Sequence, residues 1–217
     1  MTETETTLTN VQALIETGKA HLKEYNFKAN VIHAQKCFSL AYSLCTQNLG
    51  KDAIINIDIL GLLAAAHNYH IGLSTPSEEV IALLEEMKRI QLLNYESTHP
   101  DLIKTYKRLA TSYSQSKKYK LALENYFQAL ENQSVDQDEY DKDMAHTLER
   151  IGDVYNNLVK TKKAREYYVR ALEMNEQASG DNQAVLASLQ SKIARVTPII
   201  PSSASSYDGF MACHSFA

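Results

Sequence analysis

Residues 106–129 read YKRLATSYSQSKKYKLALENYFQA, residues 148–171 read LERIGDVYNNLVKTKKAREYYVRA, and laid one over the other they decide the fold. Tyr106, Leu109, Ala110, Tyr113, Ala122, Tyr126 and Ala129 have counterparts in Leu148, Ile151, Gly152, Tyr155, Ala164, Tyr168 and Ala171. Each lies 42 residues on and is small, aliphatic or aromatic in both copies. The chain carries an internal repeat. Within a copy, steps of three, one and three keep the first four positions on one face of a helix, and steps of four and three do the same for the last three. A polar connector separates them, Ser116-Lys117-Lys118-Tyr119 in one copy and Lys160-Thr161-Lys162-Lys163 in the other. Each unit is therefore two antiparallel helices, with Ala or Gly where their axes cross, because a larger side chain there would hold them apart. A lone helical hairpin cannot bury both faces, so at least three such pairs are expected to stack.

Working outward, Val11, Leu14, Ile15, Gly18, Leu22 and Tyr25 give a helical stripe, followed by Ala34, Phe38 and Ala41 at steps of four and three. Counted back from Ala34, Leu22 takes the slot of Ala110 and Tyr25 that of Tyr113, with Gly18 at the leading large position. The apolar stretch Ala53 to Ile71 predicts a deeply buried helix. Its partner starts near Ser74-Thr75-Pro76-Ser77-Glu78-Glu79, where a capping hydroxyl and first-turn carboxylates suit a helix N-terminus. A strict 42-residue offset would put His67 and Asn68 in the slots of Leu109 and Ala110, which leaves the register of this second pair open. Beyond the last pair, Val185, Leu186, Leu189, Ile193 and Ala194 mark a helix without a partner, as a cap would be.

These readings predict an all-α chain: a lead without regular structure over 1–8, a repeat domain over 9–196 and a flexible Ser-rich tail over 197–217. Helix pairs are expected at about 11–48, 53–94, 99–134 and 143–176, with the capping helix over 182–196. Seven Gly and four Pro in 217 residues agree with long helices rather than many strands and turns.

The fourteen quoted positions resemble the tetratricopeptide repeat family, and the longer period with His99-Pro100-Asp101 leading into a first helix resembles its kinesin light chain type. The resemblance implies a right-handed α-solenoid whose first helices line a concave groove for a short segment of another protein. At the 42-residue offset, Arg108, Arg150 and Lys192 share one slot of successive first helices, and Lys104, His146 and Ser188 share the slot one turn earlier. Stacked slots are neighbours in space, so Lys104, Arg108, His146, Arg150 and Lys192 are the candidate groove residues. Such a row would select an acidic or carboxylate-bearing peptide. Lys104 and Arg108 also resemble part of the carboxylate clamp of some tetratricopeptide cochaperones, without the rest of that clamp. The alternative is that these charges are solvated and paired locally with Asp101, Glu149 and Asp153. The protein would then be a structural subunit of a larger assembly, using its convex face and tail.

No Gly-rich phosphate loop, nucleophile elbow, paired-Cys motif or metal signature occurs, so no enzyme activity, cofactor or metal is expected. His67 and His70, with His21 and His33, lack the convergent carboxylates a metal wants and read as helix-packing residues. A formal net charge of −4 argues against general attraction to nucleic acid or anionic lipid. Cys37, Cys45 and Cys213 form no pairing pattern and suit reduced thiols in the cytoplasm. The acidic start Met1 to Thr7 is unlike a targeting peptide, and no apolar run is long enough to span a bilayer.

Overall fold

The computed structural model describes residues 2–23, 27–71, 78–133, 142–177 and 183–197. Among them every regular element is an α-helix: α1 (Glu3–Lys23), α2 (Phe27–Leu49), α3 (Ile55–Ile71), α4 (Glu78–Asn94), α5 (Pro100–Gln115), α6 (Tyr119–Asn132), α7 (Lys142–Asn157), α8 (Thr161–Gln177) and α9 (Gln183–Val196). Each packs against the next, giving four antiparallel pairs with α9 closing the last. The expected tail from residue 198 on, the Ser74 to Ser77 start signal and Tyr25 lie outside the described residues.

The helix ends follow from local chemistry. His99 caps α5, its Nδ1 accepting from the Asp101 backbone N–H at 3.2 Å, with Pro100 in the first turn where no donor is needed. Both connectors within the quoted repeats close alike. Lys117 and Val159 adopt positive φ of 60° and 59°. The next backbone N–H groups reach back to the Tyr113 and Tyr155 carbonyls at 2.8 and 2.9 Å. Of the lead expected over residues 1–8, Glu3 to Leu8 instead belong to the start of α1. Thr2 and Glu5 form a reciprocal capping box, Thr2 N–H to Glu5 Oε2 at 2.7 Å and Glu5 N–H to Thr2 Oγ1 at 3.2 Å. Two capped backbone donors hold a start that polar composition alone had suggested would be loose.

The register of the second pair resolves clearly. Buried Asn56, Ile57, Ile59, Leu60, Leu63, Ala64 and Ala66 of α3 stand 46 residues before buried Leu102, Ile103, Thr105, Tyr106, Leu109, Ala110 and Ser112 of α5. In the second helices Val80, Leu84 and Met87 keep the 42-residue offset to Ala122, Tyr126 and Ala129. Four extra residues therefore lie between α3 and α4. Leu63 and Ala64 fill the slots of Leu109 and Ala110, while His67 is half-buried and Asn68 exposed.

The first pair carries the same change. Gly18 faces Phe38, and an added Cβ would stand 2.5 Å from its ring; Gly152 faces Tyr168 at the same distance. Gly18 is thus the small crossing residue of repeat one, and Leu22, expected there, is half-buried one turn later. The core runs on from Val11, Ile15, Phe38 and Ile59 at one end to Tyr168, Leu189 and Val196 at the other.

Candidate functional site

With the registers fixed, the slot of Arg108 is filled in order by Glu16, Leu62, Arg108, Arg150 and Lys192. The slot one turn earlier holds Gln12, Asp58, Lys104, His146 and Ser188. The first helices therefore present acidic residues in repeats one and two and basic residues from repeat three onward. The acidic half was missed because the strict 42-residue count mislays α1 and α3 by four residues.

The predicted cations differ in how they are engaged. Lys192 is only 21% exposed and donates to Glu149 Oε1 at 2.8 Å and Asp153 Oδ1 at 2.7 Å, lying over the Tyr168 ring. Asp153 also accepts from the Tyr168 hydroxyl at 2.9 Å and approaches Arg150 at 3.6 Å. It is the hub that fastens α9 and α8 to α7. Arg150 donates through Nε to His146 Nε2 at 3.2 Å. Desolvation of its ring and the adjacent guanidinium hold His146 below the ordinary imidazole range. Lys104 is exposed and pairs with Asp101 at 3.1 Å.

Arg108 stands apart. Among the described residues its guanidinium makes no hydrogen bond and no ion pair, although it is half-buried and burial pushes it below the usual guanidinium range. Its Nη1 lies 4.0 Å from where a Gly61 Cβ would be, so the absence of a side chain on α3 leaves room for it.

Arg108 reaches into a cleft of about 590 Å³ bounded by α1, α3, α4 and α5, within the size range of ordinary ligand sites. Ile15, Ile57, Leu62, Met87 and Tyr95 give it apolar walls. Of the further polar residues that line it, which include Gln12, Lys19 and Thr105, Asp58 and Gln91 stand out. Asp58 is exposed and makes no ion pair or hydrogen bond among the described residues. Gln91 comes from a second helix, where a groove residue would not be sought. It is 1% exposed, and its Oε1 accepts no hydrogen bond. A buried acceptor left so costs about 1–3 kcal/mol. No group of three or more metal-ligating side chains occurs among the described residues, and none of their helices is long and apolar enough to cross a membrane.

Solved structures share this architecture. The Podosopora anserina protein described as a kinesin light chain with nearly identical TPR-like repeats superposes with a TM-score of 0.66 at 15% identity, covering 86% of this chain and 84% of its own. BtubC (BKLC) from P. vanneervenii gives 0.58 at 16% identity, with 90% and 84% covered. The apo form of RapI gives 0.65 at 18% identity, with 86% and 62% covered. At such identities these likenesses establish a tetratricopeptide-like α-solenoid. No curated protein matches the chain. A family model covers residues 81–193, the part holding both quoted repeats and more than half of the sequence. The chain thus belongs to the family described as uncharacterized protein conserved in bacteria (DUF2225).

Proposed function

We propose that the protein is a non-enzymatic adaptor holding a short, carboxylate-bearing segment of another protein in the groove of its first helices. The observation that carries this reading is Arg108, a half-buried guanidinium without a partner at the floor of an open, apolar-walled cleft. A partly desolvated cation without a counter-ion gains from a ligand carboxylate, through bonds worth about 1.5–3 kcal/mol each. Lys104 and Arg150 flank it, each paired with a carboxylate of its own helix, Asp101 and Asp153. His146 positions Arg150, and Lys192 holds the groove's far wall. The tetratricopeptide-like fold, generally one of protein–protein interaction, supports a protein partner. The free thiols of Cys37 and Cys45 suit the reducing cytoplasm.

The test is affinity capture from native lysate with wild type, Arg108→Glu and, as a control, Lys120→Glu at an exposed position of α6. Loss of a partner with Arg108→Glu alone supports the groove. A second reading, a subunit docked through its second helices, is favoured by Leu40 on α2 and Leu93 on α4, 58% and 63% exposed. A partner retained by Arg108→Glu but lost with Leu40→Lys and Leu93→Lys would select it.

A further inference from the structure

The cleft's charges, counted after their own pairings, describe its ligand more closely. Lys19 is neutralised by Glu16 at 3.0 Å and Lys104 by Asp101 at 3.1 Å. Two charged groups remain without partners among the described residues, the Arg108 guanidinium on α5 and the Asp58 carboxylate on α3. They lie near each other yet form no ion pair. Arg108 rests against Gly61, and Gly61 is one helical turn from Asp58 on the same face of α3.

A purely acidic ligand fits this arrangement poorly. Its first carboxylate would meet Arg108, but the next would face Asp58, and like charges brought together cost affinity. Toward the other end, Lys192 and Arg150 already share Asp153 and Glu149. The cleft rewards a ligand that brings opposite charges.

Building on the adaptor reading, we infer that the cleft takes an extended peptide segment of mixed charge. Its acidic side chain docks on Arg108 and its basic side chain on Asp58. Asp58 and the Gly61 that Arg108 rests against are about 5 Å apart along α3, so the two charged residues stand about two positions apart in an extended chain of roughly 3.3 Å per residue.

A phage-displayed library of random heptapeptides, panned on the immobilised full chain, tests this. Wild type is expected to enrich sequences with one acidic and one basic residue two to four positions apart. Asp58→Lys is expected to replace the basic residue by a second acidic one. A synthetic peptide of the wild-type consensus should lose at least tenfold in affinity on Asp58→Lys. The same peptide with its basic residue changed to Glu should regain that loss on the variant, a rescue that a misfolded protein could not give. Enriched sequences that depend on Arg108 but carry acidic residues alone, or that do not change with Asp58→Lys, would overturn this inference and leave the adaptor reading standing. If no enriched peptide depends on Arg108, the adaptor reading falls and takes this inference with it.

Discussion

A Cβ built on Gly152 would stand 2.5 Å from Cε1 of Tyr168, closer than real side-chain carbons come. Tyr168 is 1% exposed and its hydroxyl is held by Asp153, so the ring cannot swing away cheaply. Gly152→Ala should therefore destabilise the protein by about 1–2 kcal/mol, overpacking outweighing the roughly 1 kcal/mol that Ala gains in a helix. Gly61, also mid-helix, has only Met87 Sδ at 3.7 Å and Arg108 Nη1 at 4.0 Å near its added Cβ. Gly61→Ala should stabilise by about 0.5–1 kcal/mol. Urea unfolding of the two variants beside wild type decides both signs.

Val159 sits at φ 59° with 81% of its surface exposed, in a region β-branched residues avoid. Its side chain packs on little, and the turn needs only its backbone. Val159→Gly should raise stability by about 1 kcal/mol, relief of strain exceeding the entropy lost by glycine on folding. An unchanged or lower urea midpoint would contradict this.

Lys192 carries the contact between α9 and α7. Lys192→Met keeps the aliphatic stem over Tyr168 but leaves Glu149 and Asp153 facing each other without their shared cation. A loss of about 1–3 kcal/mol is expected, with hydrogen exchange rising first in α9. Uniform protection across all helices would show that the ion pairs do not hold the cap.

Alkaline pH should weaken the fold through two tyrosines. Burial first, then its hydrogen bond to Glu85, pushes Tyr113 up to about 12, and burial with Asp153 raises Tyr168 further. Between pH 10 and 12 the unfolded chain has released these protons and the folded one has not. Stability is thus full below about pH 10 and falls as pH rises above it. Thermal melts from pH 8 to 11.5 should show this fall, and Tyr113→Phe should make it shallower.

What the sequence determined by itself was whatever depends on spacing within a helix. Tyr106 to Ala129 and Leu148 to Ala171 declared paired helices, an all-α stack and its cap, since one buried stripe at helical period admits little else. It could not place α1 and α3 against their neighbours. Four inserted residues are close to one helical turn, so the stripe through Leu60, Leu63 and Ala64 looks equally good in either register. Packing chose, because only Gly18 lets Phe38 approach and only Ala64 stands where Ala110 does.

The groove divides the same way. Arg108, Arg150 and Lys192 were legible as one row, because they keep the repeat's own offset. Which of them is free was not legible, since Lys192 finds its carboxylates on another helix some forty residues away, and Asp58 enters the groove only once α3 is shifted. Charge on a sequence is a property of residues, but charge available to a ligand is what remains after tertiary pairing.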